Sequence, residues 1–207
     1  MKPFEFRPAQ GPWSTGETWL FFCAVPDLAR DTALAELFRG CREAMDGFPI
    51  APVPDETLRV TLAQVGDAPA GQIDQAQRAA LLQAVRSRLS TVEPFSITAG
   101  SPLAYATGAL CDLEDEPLQQ LIGLIRSAVR ELRGAEADTF HPGVTHLTLG
   151  YAHAEASTDD LARRLRRVRP SHARMHIDAV HLLEVGTDPQ ARVFRLNPVG
   201  VVPLSGA

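Results

Sequence analysis

The 207-residue sequence predicts a single α+β domain. Two observations carry this. Segments with strand periodicity alternate irregularly with segments of helical periodicity, including strand pairs joined by short turns, which purely parallel folds lack. Each helical segment also has only one apolar stripe, so helices should cover sheets rather than bury themselves.

The elements follow in order. Residues 1–17 are rich in Pro, Gly and polar groups and read as a poorly ordered lead-in, leaving 18–207 as the domain. Thr18–Val25 (TWLFFCAV) is a continuous apolar run suited to a strand buried on both faces. A helix starts near Asp31, with Leu34, Leu37, Phe38, Cys41 and Met45 on one face and Gly47 as its stop. FPIAPVPDE reads as a Pro-rich loop, and Thr57–Val65 (TLRVTLAQV) alternates as a strand.

Ile73, Ala76, Ala80, Leu81, Ala84, Val85 and Leu89 mark a second helix. Phe95, Ile97 and Ala99 alternate in a strand, and Gly100-Ser101-Pro102 reads as a hairpin turn into Ala104–Leu113. Asp115 or Glu116 can cap a third helix, with Pro117 in its first turn and Gly134 after it. Leu118, Leu121, Ile122, Ile125, Val129 and Leu132 make its apolar face. Val144–Ala152 (VTHLTLGYA) is a strand, and Ser157-Thr158-Asp159-Asp160 caps a short helix carrying Leu161, Leu165 and Val168. Strands near Ile177–Val185 and Val193–Leu196 end the chain.

Composition narrows the function. A net charge of −5 gives no general attraction to nucleic acid or anionic membrane, so an anionic ligand needs a local site. Cys23, Cys41 and Cys111 lack zinc or redox spacing and read as buried apolar residues of a cytoplasmic protein. No apolar run is long enough to span a membrane. Arg163, Arg164, Arg166, Arg167, Arg169 and Arg174 form a basic run, read first as a solvated helix face and second as a contact for RNA backbone.

One internal echo points to chemistry. Arg59-Val60-Thr61-Leu62 and His146-Leu147-Thr148-Leu149 lie on two predicted strands, 87 positions apart. Residues two apart share a strand face, so Arg59 pairs with Thr61 and His146 with Thr148, opposite Val60 and Leu62 and opposite Leu147 and Leu149, which pack. Alternation puts His153 on the other side from His146, and no HExxH or carboxylate cluster suggests a metal. His141, in the loop before the strand, could reach the same cleft.

VPDETLRVTLAQVG and VTHLTLGYAHAE resemble the two motif regions of the 2′-5′ RNA ligase family of two-histidine phosphoesterases, and the element order matches that family from about Thr18 to Leu204. The resemblance implies two pseudo-symmetric lobes, mostly antiparallel sheets with outer helices around a central cleft. It implies a phosphodiesterase-like activity on the 2′,3′-cyclic or 2′-5′ phosphodiester of a nucleotide or RNA end, with no metal or other cofactor. A monomer is expected, with neither DNA nor a membrane as partner. His146 matches a catalytic acid or base, and Thr61 and Thr148 match the phosphate-binding hydroxyls.

Arg59 stands where the family pattern has histidine. Guanidinium stays protonated near neutrality and cannot exchange protons as imidazole does, but it grips phosphate with paired hydrogen bonds. Arg59 is therefore expected to clamp the phosphate. An enzyme with an altered site, a module that only binds nucleotides or RNA ends, and a domain kept for protein contact are all compatible with the substitution.

Overall fold

The computed structural model describes residues 1–6, 16–114, 116–140 and 143–205. Nine strands and four α-helices are found among them: β1 Trp19–Ala24, α1 Thr32–Met45, β2 Ile50–Pro52, β3 Val60–Gln64, α2 Gln75–Leu89, β4 Phe95–Tyr105, β5 Gly108–Leu113, α3 Glu116–Arg133, β6 His146–Ala152, α4 Thr158–Leu165, β7 Ala173–Ile177, β8 Ala179–Asp188 and β9 Val193–Pro203. The strands form two antiparallel sheets, ordered β3-β1-β8-β9 and β2-β6-β5-β4-β7. Helices α2 and α3 back the first sheet; α1 and α4 back the second. The fold is thus α+β, as the sequence predicts, with the two lobes that the family resemblance implies.

Side-chain alternation explains the two layers of apolar packing. On β1, Leu20 and Phe22 are fully buried in the main core, while Trp19, Phe21 and Cys23 join Leu183 and Val185 in a second apolar cluster on the other face. A strand packed on both sides needs no polar alternation, which is why TWLFFCAV has none. The stripes read from sequence for α1 and α3 are the buried ones, apart from Leu132, which is exposed. Ser157 caps α4, its hydroxyl accepting from the Asp160 amide at 3.2 Å.

Several elements differ from the sequence reading, among them β9, which runs on to Pro203 rather than ending near Leu196. The hairpin turn is Ala106-Thr107 rather than Gly100-Ser101-Pro102, so β4 runs through that triplet with an irregularity between Ala99 and Pro102. The expected strand Thr57–Val65 shrinks to Val60–Gln64, because Asp55–Thr57 forms a 3₁₀ turn. Within the Pro-rich loop, Ile50–Pro52 pairs with β6 as an edge strand, the position where proline's missing N–H costs least. Ala173–Ile177 is a further edge strand. Asp115, one of the two expected caps of α3, lies outside the described residues.

Of the expected lead-in, residues 7–15 lie outside the described residues. Met1–Phe6 runs along the second lobe: the Lys2 amide donates to Ala106 O at 2.8 Å and the Phe4 amide to Ala152 O at 2.7 Å.

Candidate functional site

The two echo motifs lie at β3 and β6, which approach each other from opposite lobes. Register fixes which side chains face the space between them. On β3, Thr61 pairs with Cys23, Ala63 with Phe22 and Gln64 with Phe21, so Leu62 is an extra residue opposite no partner. This bulge shifts the alternation and puts Gln64 on the face of Thr61. On β6, Asp112 pairs with His146, Leu110 with Thr148, Ala109 with Gly150 and Gly108 with Tyr151. The extra residue is Leu149, and Tyr151 joins His146 and Thr148. Both motif strands therefore bulge just after their threonine, and each adds a third polar residue to its cleft face.

Close backbone approach at the second bulge depends on glycine. A Cβ on Gly108 (φ +153°) would lie 2.1 Å from Gly150 O, and one on Gly150 would lie 2.5 Å from Ile50 Cγ2. Gly108 thereby leaves the backbone opposite Tyr151 uncrowded.

Arg59 is half-buried and held from two sides. Its Nη1 donates to Thr57 O at 3.1 Å, and its guanidinium carbon lies 5.0 Å from the centroid of the Phe194 ring. Such a cation–π contact is worth about 0.5–2 kcal/mol. The same guanidinium acts on both lobes. Burial pushes the Cys23 thiol up to about 12, opposed by the Arg59 charge and the Thr61 hydroxyl. Burial likewise raises the Tyr151 phenol, opposed by the Arg59 charge and the Thr148 hydroxyl. Arg59, two residues from Thr61 on the first lobe, thus comes up against Tyr151 on the second, whose hydroxyl meets Thr148.

His146 opens β6 and is exposed. Its Nδ1 lies 2.9 Å from Val144 O. A carbonyl can only accept, so Nδ1 carries the proton and the Nε2 lone pair of the neutral ring is free to act as a base.

Beside Arg59 is a small pocket lined by Val53, Pro54, Thr57, Tyr151, Val193 and Phe194. Its aromatic wall is continuous. Tyr151 lies 4.5 Å from Phe4, 5.1 Å from Phe6 and 5.7 Å from Phe194, centroid to centroid. Phe4 and Phe6 come from the N-terminal segment and Phe194 from the far end of the β8–β9 hairpin, so two distant parts of the chain fix one ring.

Other sequence candidates fall elsewhere. His141 lies outside the described residues. His153 is exposed just beyond β6, its amide donating to Pro49 O at 2.8 Å. The alternation that separates it from His146 in the sequence does not hold through the bulge; it is the end of the strand at Ala152 that sets it apart. Among the described residues, no group of three or more His, Cys, Asp or Glu could hold a metal ion. The basic run is partly absorbed by structure: Arg163 pairs with Asp160, Arg164 donates to Asp46 O and stacks on Phe48, and Arg169 donates to Arg166 O and Val168 O.

Two residues that sequence alternation missed share these faces. Tyr151 and Gln64 enter only through the bulges, and the signal available was the matched Leu-Gly-Tyr and Leu-Ala-Gln after each threonine. His181, paired with Cys23, also lies on the cleft face of the first sheet; burial lowers its pKa, opposed by Asp178.

Among the described residues, no helix is long and apolar enough to cross a membrane. All three cysteines are free and buried.

No curated protein sequence matches this chain. Solved structures with the same fold include TT0787 of Thermus thermophilus, at 19% identity and a TM-score of 0.66, covering 91% of this chain and 98% of that one. Escherichia coli LigT complexed with 3′-AMP matches at 17% identity and a TM-score of 0.63, again over 91% and 98%. The family model of the 2′-5′ RNA ligase superfamily matches residues 51–189, which contain both motif strands. The chain belongs to the 2′-5′ RNA ligase superfamily.

Proposed function

We propose that the cleft binds the phosphodiester of a nucleotide or RNA terminus and hydrolyses a 2′,3′-cyclic or 2′-5′ linkage. The observation that carries this reading is the Arg59 guanidinium, held on one lobe by Thr57 O and Phe194 and lining one small pocket with Tyr151 of the other, next to the strands that carry Thr61 and Thr148. A fixed cation with converging hydroxyls suits a phosphate better than a neutral ligand. Arg59 clamps two phosphate oxygens, Thr61 and Thr148 donate to the others, and Nε2 of His146 takes the proton from the attacking nucleophile. That LigT has been crystallised with 3′-AMP supports a nucleotide as occupant.

A second reading, a module that binds nucleotide or RNA ends without turnover, is favoured by Arg59 itself, which cannot exchange protons. Titration of 3′-AMP followed by calorimetry tests the shared part. Thr148→Val should weaken binding by about threefold to tenfold, as expected for one hydrogen bond of roughly 0.5–1.5 kcal/mol. No binding by the wild-type protein would remove both readings, and binding with no hydrolysis of a 2′,3′-cyclic nucleotide would select the second.

A further inference from the structure

If the cleft hydrolyses a cyclic phosphate, a reading on which the following rests, the chemistry needs two proton carriers on opposite sides of phosphorus. His146 supplies one, and arginine cannot supply the other. The bulge in β6 provides a different group. His146, Thr148 and Tyr151 share one face of the strand, with the threonine between the other two. Thr148 and Tyr151, like His146 and Thr148, are separated by one pleat repeat, about 6.6–6.8 Å along a strand. A phosphate on the Thr148 hydroxyl therefore has imidazole towards one end and phenol towards the other.

We propose that the Tyr151 hydroxyl is the general acid of the reaction, protonating the ribose oxygen that leaves phosphorus. Three further features fit this role. Tyr151 lines one pocket with Arg59, so it stands at the end of the cleft where the first motif presents its arginine. Its ring is fixed by Phe4, Phe6 and Phe194, it lines the small pocket beside Arg59, and its hydroxyl meets that of Thr148, where the phosphate is placed. Burial also keeps the phenol protonated through neutral pH, as an acid must be. Tyr105, the other tyrosine, shares the same sheet face, but its hydroxyl meets Thr107 in the hairpin turn, whereas that of Tyr151 meets the motif residue Thr148.

The step balances without another reactant. Water attacks phosphorus while Nε2 of His146 takes its proton. The bond from phosphorus to one ribose oxygen breaks, and that oxygen takes the phenolic proton. The phenolate, next to the Arg59 guanidinium, is reprotonated from solvent, and the imidazolium releases its proton to solvent. The product is the phosphomonoester.

The chain contains only two tyrosines, which allows a direct test. In full-length Tyr105→Phe protein, biosynthetic 3,5-difluorotyrosine replaces Tyr151 alone and lowers its phenol pKa. Since the acid must be protonated, kcat for a 2′,3′-cyclic nucleotide falls as pH rises through that pKa. Fluorination should move this descending limb to lower pH. Tyr151→Phe, which keeps the ring packing, should lower kcat by about 10²-fold with little change in KM. A descending limb that stays in place, or a Tyr151→Phe enzyme of wild-type kcat, would overturn the assignment. Wild-type protein that binds 3′-AMP yet hydrolyses no cyclic nucleotide would remove the enzymatic reading, and the assignment with it.

Discussion

Arg59 stacks on Phe194, its guanidinium carbon 5.0 Å from the ring centroid, although Arg59 immediately precedes β3 and Phe194 lies on β9, the two edge strands of the first sheet. With the hydrogen bond to Thr57 O, this contact orders the side chain before a ligand arrives. Arg59→Ala should therefore weaken 3′-AMP binding about tenfold or more, the scale of a charge-assisted hydrogen bond worth roughly 1.5–3 kcal/mol. Calorimetric titration measures it. Equal affinity in the two proteins would mean that Arg59 serves the aromatic wall rather than the anion.

Arg59→His exchanges the clamp for an imidazole at an end of the cleft where Tyr151 already supplies the proton. Hydrolysis of a 2′,3′-cyclic nucleotide should therefore fall about tenfold or more, the scale of a lost charge-assisted hydrogen bond worth roughly 1.5–3 kcal/mol. Steady-state kinetics of the folded variant measure it. A rate above wild type that survives a further Tyr151→Phe change would show that a second imidazole serves better than the charge and the phenol together.

Gly108→Ala tests the bulge that brings Tyr151 to the cleft. The new methyl would meet Gly150 O at 2.1 Å, a backbone atom that cannot rotate away. Overpacking of this kind costs about 1–3 kcal/mol. Urea melts should show that loss, and 3′-AMP binding should fall beyond what the melt alone explains. Unchanged stability would mean that the strands part there at little cost.

His181 gives the fold a pH dependence. Burial lowers its pKa below the usual 6.5, while Asp178 opposes the shift. The unfolded chain then binds the proton more readily than the native state does. The stabilising difference is fully present above about pH 6.5 and is lost as pH falls through the lower, native pKa. Melting temperatures between pH 7.5 and 5 should drop more for the wild type than for His181→Asn. Parallel curves would place the sensitivity in another group.

The elements and the motif strands were legible because each rests on local pattern. Leu34, Leu37, Phe38, Cys41 and Met45 repeat at helical spacing, and those residues are the buried face of α1. Thr61 and Thr148 were legible as an echo on two strands. What the pattern concealed depends on pairing. A bulge is defined by the partner strand, so the turn of alternation at Leu62 and Leu149 that brings in Gln64 and Tyr151 cannot be read from either strand alone. The hairpin turn was misplaced for the same reason. Gly100-Ser101-Pro102 has turn chemistry, but pairing with β5 and the length of β4 favour Ala106-Thr107. Ile50–Pro52 reads as loop because its strand character comes only from the edge of β6.

In the proposed reaction the cleft between β3 and β6 turns over a phosphodiester with His146 as its base. The most direct measurement is hydrolysis of a 2′,3′-cyclic nucleotide in EDTA by wild-type and His146→Ala protein, with 3′-AMP binding and circular dichroism showing that the variant's cleft and fold are kept. Wild-type turnover should be measurable, with a loss of about 10²–10⁴-fold in the variant. Wild-type turnover that survives His146→Ala unchanged would contradict the role given to His146.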